Sequence, residues 1–437
     1  MNITDWLKFK DLEYKDGILN FANLNSIEIA EKYGTPVYVI NELMIRKRYK
    51  ELKKVLDLEY KNNDIHYAMK ANSNLSVLKI LKSEGANFDC TSTGEIIACF
   101  EVGIPPEKII YTGNMFTNED LKFAVENKVQ INLDSISQLR RLNKILEDLG
   151  LEKKTISFRI NPEFGAGHHP HTITAGKMIK FGILDDQVIE AYSMAKKFGF
   201  NKFGTHIHIG SGILNAQDFD KAVDKYMMII TNLSDRLNIM FDFVDFGGGL
   251  GIPYRPEEEP LNLEIYTDVV IKRFRSMVEK GDLGEPRLII EPGRYLSAEA
   301  SIILTQINTI KDNGYKMFAG IDAGFNTLIR PTMYGSYHHI IPCREEKERS
   351  MIKYDVVGPI CESGDVIGKE RELPELREGE YLAILDTGAY GFSMSNPYNS
   401  RPRPAEILIA RGQTFEIRER ETFYDLIKHQ KIPDHLK

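Results

Sequence analysis

Short runs of β-branched and aromatic residues alternate with amphipathic segments over the first two thirds of the chain. The amphipathic segments carry apolar residues at helical spacing; 75–85 ends at Gly85, and 135–150 begins at Ser135 and ends at Gly150. The apolar runs cover 65–70, 87–91, 108–112, 130–134, 156–161, 204–210, 241–246 and 287–292. Strands that alternate with helices pair in parallel through crossover connections. Eight such units predict a (β/α)8 barrel over residues 35–297.

A doubly wound parallel sheet is the competing architecture for the same alternation. It would normally carry a G-x-G-x-x-G turn after its first strand, and this chain has none there. The barrel is therefore the preferred interpretation.

The pattern changes after residue 297. Short alternating runs are separated there by Gly, Asn and Pro, which is typical of antiparallel strands. Residues 1–34 show no helix–strand alternation. We therefore expect a second domain, an antiparallel β-sandwich or β-barrel formed by residues 1–34 and 298–437.

Composition narrows the class of protein. The chain has 437 residues, and 56 Lys and Arg against 63 Asp and Glu give a formal net charge of −7. The acidic balance gives no support for nucleic-acid binding, which would need a clustered basic face. No run approaches the roughly 18 apolar residues of a membrane span. The four cysteines are too scattered for a disulfide framework or paired zinc ligands, and no secretory signal pattern begins the chain. We expect a cytoplasmic protein without a metal site.

In a (β/α)8 barrel, functional residues lie where the strands end. The first strand ends at Lys70, within HYAMKANSN. By itself, such a lysine is more often paired with a carboxylate. The functional alternative is an amine with a lowered pKa that can form a Schiff base.

Two further strand ends contain histidines and glycines. HIHIGSG places His206 and His208 on one face, followed by Ser211, and either histidine alone would more often be a core residue. DFGGGLG ends the seventh strand with Gly247, Gly248 and Gly249. Consecutive glycines allow backbone N–H groups to face an anion such as a phosphate, although a plain turn is the simpler explanation.

The eighth strand ends in EPGRY, with Glu291 and Arg294. An internal salt bridge would explain the two residues equally well. Together, however, the strand ends supply an amine, a flat imidazole, a phosphate cradle, a guanidinium and an acid. Pyridoxal 5′-phosphate requires this combination, because its aldehyde, ring, phosphate and ring nitrogen each need one of these partners.

The motifs HYAMKANSN, HIHIGSG, DFGGGLGIPY, EPGRY, GPICESGDVIG and DTGAYGFSMSNPYNSRPRP resemble the fold-type III pyridoxal-phosphate decarboxylases, from about Thr35 to the C-terminal region. They are closest to the branch that converts meso-2,6-diaminopimelate to L-lysine and CO2. The resemblance implies a barrel followed by a β domain. Glu291 separates the chain from the related alanine racemases, which place an arginine at the ring nitrogen.

Carried over residue by residue, the resemblance implies a role for each motif residue. Lys70 holds the cofactor covalently, His208 stacks on its ring and Glu291 contacts the ring nitrogen. The phosphate and its surroundings are assigned to Ser211, Gly248, Gly249, Arg294 and Tyr390. Arg294 and Tyr390 are also expected to contact the amino-acid substrate.

Cys361 lies in GPICESGD, where a cysteine could simply be a small buried residue. The resemblance implies instead that it reaches across a dimer to protonate the substrate carbon. If so, neither subunit alone holds a complete site, and the enzyme is a homodimer with shared active sites.

Substrate choice can be argued from charge. Diaminopimelate presents a distal ammonium and a distal carboxylate, whereas ornithine presents an ammonium alone. Arg330 and Glu362, with Tyr334 nearby in sequence to Arg330, offer both charges. A substrate without a distal carboxylate would leave a carboxylate-binding Arg unpaired, at a cost in binding free energy of about 1–3 kcal/mol. This cost disfavours ornithine. By itself, Arg330 could also form a surface ion pair.

Segment 163–182 departs from the family pattern and contains His168, His169 and His171. We interpret it as a mobile loop over the site; a zinc-dependent hydrolase is the less favoured alternative. Two other hypotheses stay open: a decarboxylase of carboxynorspermidine or another basic amino acid, and a non-catalytic regulator that binds the cofactor.

Overall fold

Eight parallel strands close into a barrel in the computed structural model, which describes residues 2–163, 175–176 and 178–437. The first and last strands pair through Leu288 and Asn63, so the sheet has no open edge. The barrel strands are Asn63–Ala68, Asn87–Cys90, Ile109–Thr112, Gln130–Leu133, Ile156–Asn161, Phe203–His206, Phe241–Asp245 and Arg287–Ile290. A short strand, Ile183–Leu184, pairs outside the ring with Ile156–Asn161. The predicted barrel is confirmed.

Helices follow the barrel strands as the alternation predicts. They are Leu75–Glu84, Thr93–Glu101, Asn118–Glu126, Ile136–Leu149, Asp185–Lys197, Asp220–Leu237, Leu263–Tyr266 with a π-helical continuation Thr267–Lys272, Arg273–Lys280 and Arg294–Ser297; Glu42–Glu59 precedes the first strand. Gly85 and Gly150 end their helices in the left-handed conformation, and Ser135 caps the amide of Gln138. The caps inferred from sequence are confirmed.

The second unit contains a nine-stranded sheet. Its strands are Val37–Asn41, Ser301–Asp312, Met317–Ile321, Ile340–Pro342, Met351–Val357, Val366–Pro374, Tyr381–Ile384, Ala405–Ala410 and Gln413–Arg418. Most pairs are antiparallel, as predicted, but Met317–Ile321 and Ala405–Ala410 each have one parallel neighbour. The sheet is therefore mixed.

The N-terminal segment lies in the same unit as this sheet. It contributes the three-stranded antiparallel sheet Leu12–Lys15, Ile18–Phe21 and Leu24–Asn25 and the helices Ile3–Phe9 and Ser26–Tyr33. Side chains alternate across strand Val37–Asn41: Val37 and Val39 belong to the core that includes Trp6, and Tyr38 belongs to the opposite core. Both faces of the sheet are thereby covered.

The domain boundary differs from the expected one. The compact units are 46–253 with 259–296, and 1–45 with 254–258 and 297–437. Residues 35–45 were expected in the barrel, but strand Val37–Asn41 pairs with Ser301–Asp312 and Ala405–Ala410. Strand Val37–Asn41 is buried and rich in β-branched residues, as a barrel strand is. Its composition alone could therefore not assign it to the correct sheet.

No helix in the part of the chain that the structure describes is long and apolar enough to cross a membrane.

One buried ion cluster ties the N-terminal segment to this unit. Lys10 Nζ lies 3.0 Å from Glu299 Oε1 and 2.8 Å from Asp386 Oδ1, and all three side chains are almost fully buried. Burial raises the pKa of Asp386 to about 7, although Lys10 opposes that shift. The ammonium therefore compensates two carboxylates that water cannot reach.

Lys10→Ala should lower the free energy of unfolding by about 3–5 kcal/mol, because it leaves buried carboxylates without their cation. Equilibrium denaturation would measure the loss. Lys122→Ala is the matched control, since Lys122 forms an exposed i,i+4 pair with Glu126, 3.8 Å away, and its removal should leave the transition unchanged. Equal stabilities of the two variants would contradict a structural role for the buried cluster.

Candidate active site

Lys70 follows the first barrel strand and lies in the 3₁₀ turn Met69–Ala71. Its Nζ is 3.1 Å from Oδ2 of Asp89, a fully buried residue on the second strand. Burial raises the pKa of Asp89 to about 7; the charge of Glu291 adds to the shift and Lys70 opposes it. The carboxylate pairing considered from sequence is thus present, and it holds the amine at the end of the first strand.

A second buried pair connects the sixth and eighth strands. Nε2 of His206 lies 3.1 Å from Oε2 of Glu291, and both side chains are inaccessible to water. Burial by itself would raise the pKa of Glu291, but His206 and Lys70 hold it below its usual value. Glu291 is therefore an ionised carboxylate in the barrel interior.

Asp245 lies beside this pair. One ligand atom each from His206, Asp245 and Glu291 falls within 4.8 Å of the others. Burial and the charge of Glu291 raise the pKa of Asp245 well above its usual value. Two neighbouring carboxyl groups avoid repulsion because one keeps its proton while the other stays charged.

His208 is held by the glycine segment. Its Nδ1 accepts a hydrogen bond of 3.0 Å from the backbone N–H of Gly248. Burial lowers the pKa of His208 well below its usual value, and the charges of Arg159 and Lys70 add to that shift. His208 is therefore a neutral imidazole whose ring orientation is set by a backbone donor.

The glycines allow this approach. A Cβ at Gly248 would lie 2.3 Å from the carbonyl oxygen of Glu291, and Gly249 has a φ of +111°. Any side chain at position 248 would force the seventh and eighth strand ends apart.

Arg294 and Ser211 form the polar side of the same barrel end. Nη2 of Arg294 donates to Oγ of Ser211 over 3.1 Å, and Arg294 is buried. A guanidinium and a hydroxyl in contact supply several hydrogen-bond donors for a phosphate.

The remaining predicted residues belong to the other unit. Arg330 begins the helix Arg330–Tyr334, is 1% exposed and donates to the hydroxyl of Tyr254 over 3.0 Å. The surface ion pair considered from sequence is therefore wrong for Arg330, because the residue is buried.

Cys361 and Glu362 are exposed on the same unit. The N–H of Cys361 donates to Oδ1 of Asn399 over 2.9 Å, and Oε1 of Glu362 accepts from the hydroxyl of Tyr398 over 2.7 Å. Tyr390 has a φ of +59° in the turn that follows strand Tyr381–Ile384. All four cysteines are free thiols, and Cys361 is exposed whereas the other three are buried.

Comparisons with known proteins agree with this geometry. Residues 43–298 match the family model described as "Pyridoxal-dependent decarboxylase, pyridoxal binding domain". A diaminopimelate decarboxylase from Methanothermobacter thermautotrophicus is 48% identical, over 98% of this chain and 99% of its own. The chain belongs to the pyridoxal-dependent decarboxylases.

Solved structures of this family extend the similarity to the whole chain. The diaminopimelate decarboxylase of M. jannaschii in complex with L-lysine has a TM-score of 0.90 and 37% identity, covering 98% of this chain and 99% of that one. The Helicobacter pylori enzyme complexed with L-lysine has a TM-score of 0.85 and 33% identity, covering 92% and 98%. The resemblance, the fold class and the pyridoxal phosphate cofactor predicted from the motifs are confirmed.

The barrel residues fit the family's cofactor. The carboxylate of Glu291 is buried yet ionised, which suits contact with a protonated ring nitrogen. Lys70 supplies the amine, neutral His208 a flat ring, and Arg294 with Ser211 the phosphate donors. The individual roles of these residues stay predictions.

Three residues that adjust the charges of the site have no assigned role in the sequence analysis. His206, named there with a core residue as the simpler explanation, is buried and pairs with Glu291. Asp89 pairs with Lys70, and Arg159 is a buried cation whose pKa is lowered to about 10 by burial. Each is an ionisable residue within a predicted barrel strand, which is the signal that could have found it.

The histidines of the segment 163–182, His168, His169 and His171, lie outside the described residues.

Gly248→Ala should lower the free energy of unfolding by about 1–3 kcal/mol, because its methyl group overlaps the backbone of Glu291. Thermal unfolding of the purified enzyme would measure the change. Gly94→Ala is the control: position 94 lies in the helix Thr93–Glu101, and its Cβ would approach Ser92 Oγ no closer than 3.8 Å. That variant should be as stable as wild type or slightly more stable; the reverse ranking would contradict the packing argument.

Proposed function

We infer that the protein catalyses the pyridoxal-phosphate-dependent decarboxylation of meso-2,6-diaminopimelate to L-lysine and CO2. The observation that carries the substrate assignment is the buried guanidinium of Arg330. A guanidinium binds a carboxylate through two parallel hydrogen bonds, and the distal carboxylate of diaminopimelate is a group of that kind. The full-length similarity to diaminopimelate decarboxylases supports the same substrate.

The residues of the barrel prepare the cofactor for this reaction. Lys70 holds it covalently until substrate arrives, and Arg294, Ser211 and the glycine segment bind its phosphate. When bound, pyridoxal phosphate supplies an acceptor for the electron pair that remains on the substrate's α-carbon after CO2 leaves. Glu291 favours that transfer because its negative charge keeps the ring nitrogen protonated, and His206 keeps Glu291 charged.

The residues of the other unit act on the substrate. Arg330, with Tyr334, binds the distal carboxylate, Glu362 binds the distal ammonium, and Tyr390 contacts both cofactor and substrate. The thiol of Cys361 delivers a proton to the α-carbon. Because Cys361 and Glu362 are exposed on the single chain, we propose that they complete the site of a second subunit, so that the active enzyme is a homodimer.

We place this enzyme in the cytoplasm. The exposed free thiol of Cys361 has to stay reduced to donate its proton, and a reducing compartment preserves it.

The substrate assignment is tested by CO2 release from meso-diaminopimelate, ornithine and carboxynorspermidine. We expect turnover of meso-diaminopimelate with L-lysine as the product, and about 5- to 150-fold lower kcat/KM for the other two, since a missing partner for a buried charge costs about 1–3 kcal/mol. Arg330→Lys should raise KM for meso-diaminopimelate by about tenfold, because an ammonium cannot bind a carboxylate bidentately. Efficient turnover of carboxynorspermidine instead would select the alternative decarboxylase.

Shared sites are tested by mixing two inactive variants, Lys70→Ala and Cys361→Ala. A hybrid dimer carries both substitutions in one site and none in the other, so random mixing should restore about a quarter of wild-type activity. Each variant alone should be nearly inactive, and Cys361→Ala should keep the visible absorbance of the bound cofactor. Mixtures that stay inactive would contradict sites built from two subunits.

A further inference from the structure

Three neutral side chains of its own unit contact the guanidinium of Arg330. Nη1 donates to the hydroxyl of Tyr254 over 3.0 Å and lies 2.9 Å from Nε2 of His338, and Nη2 donates to Oγ of Ser336 over 3.3 Å. The guanidinium also lies over the ring of Tyr254, with its carbon 5.1 Å from the ring centroid. Its position is therefore determined by several directional contacts.

The protonation of His338 follows from its two neighbours. Nδ1 lies 2.8 Å from the carbonyl oxygen of Leu385, which can only accept, so Nδ1 carries the hydrogen. Nε2 faces a guanidinium, which can only donate, so Nε2 accepts. His338 is thereby fixed as the neutral tautomer with its lone pair directed at Arg330.

The ring of His338 has little freedom to move. It is fully buried and packs edge-on against Tyr254, with 5.3 Å between ring centroids. The N–H of Leu385 donates to the carbonyl oxygen of His339 over 2.9 Å. The backbone next to His338 is therefore hydrogen-bonded to Leu385, the same residue that the Nδ1 of His338 contacts. A rigid acceptor at this place can orient a long side chain.

We propose that His338 is a positioning residue that fixes the orientation of Arg330 and so sets the preference for a substrate with a distal carboxylate. The proposal rests on the proposed function, since it assigns the determinant of substrate choice at the same site. His338 does not contact the reacting atoms; it acts through Arg330.

Orientation matters because a guanidinium binds a carboxylate through a planar pair of N–H groups. Nη1 donates to Tyr254 and faces the acceptor nitrogen of His338, so these two contacts help to set the plane of the guanidinium and the direction from which it can bind a carboxylate. Without the acceptor at His338, the guanidinium keeps its contacts with Tyr254 and Ser336 but loses one of the bonds that set its plane. A substrate without a distal carboxylate gains nothing from this alignment.

Two substitutions separate the contact with Arg330 from the contact with Leu385. In His338→Gln, the longer amide can place an acceptor near Nε2, so the bond from Arg330 is retained. In His338→Asn, the shorter amide can donate to Leu385 as Nδ1 does, but nothing accepts from Arg330. A role through the bond to Leu385 alone predicts that the Asn variant is the milder one, and a positioning role predicts the opposite.

For the holoenzyme, we expect His338→Asn to raise KM for meso-diaminopimelate by about tenfold, which is the loss of a charge-assisted hydrogen bond, while kcat changes by less than about threefold. The ratio of kcat/KM for meso-diaminopimelate to that for ornithine should fall by the same factor. His338→Gln should recover KM to within about threefold of wild type.

The neighbouring His339 provides a matched control. It is half-buried, and its Nδ1 lies 2.9 Å from the hydroxyl of Tyr337. His339→Asn should leave KM unchanged. This control separates a general effect of losing an imidazole in this segment from the loss of the contact with Arg330.

An unchanged KM in His338→Asn, or an equal rise in both His338 variants, would overturn the positioning role. If the Asn variant does not fold, the Gln variant still decides: a folded His338→Gln with a tenfold higher KM contradicts the proposal. A wild-type enzyme that uses ornithine or carboxynorspermidine instead of meso-diaminopimelate overturns the proposed function, and with it the carboxylate site at Arg330. The two failures are therefore distinguishable.

Discussion

The barrel site depends on one buried carboxylate that stays ionised. Glu291 has no access to water, and burial alone would favour its protonated form. The contact with His206 and the nearby charge of Lys70 reverse that preference. Because a closed parallel barrel brings the carboxyl ends of eight strands together, one residue from each of several strands can build this charge cluster.

The unit that contains the nine-stranded sheet buries charged side chains in two different environments. The ammonium of Lys10 lies between two carboxylates, which gives a compensated and structural cluster. The guanidinium of Arg330 is instead oriented by two hydroxyl groups and an imidazole. A positive charge kept in a defined orientation is suited to binding an anionic group of a ligand, whereas a compensated one is suited to holding a fold together.

The periodicity of apolar residues was sufficient to predict the barrel but not to predict where the second unit begins. All eight predicted strands and the caps at Gly85, Ser135 and Gly150 are present, because these features depend on residues close together in sequence. Strand Val37–Asn41 was assigned to the wrong unit, since its partners are more than 250 residues away. The parallel pairs in the second sheet were missed for the same reason: strand direction depends on long-range pairing.

By itself, the sequence determined which residue types lie at the strand ends and in which order, and this was enough to identify the cofactor chemistry. Only the tertiary structure decided which of two histidines supports Glu291 and which meets Gly248, and that Arg330 is buried against His338 rather than paired at the surface. Spacing along a strand tells which face a side chain occupies but not which neighbour it meets. The pKa of a buried group depends on those neighbours and on its distance from water, and both are set when the chain packs.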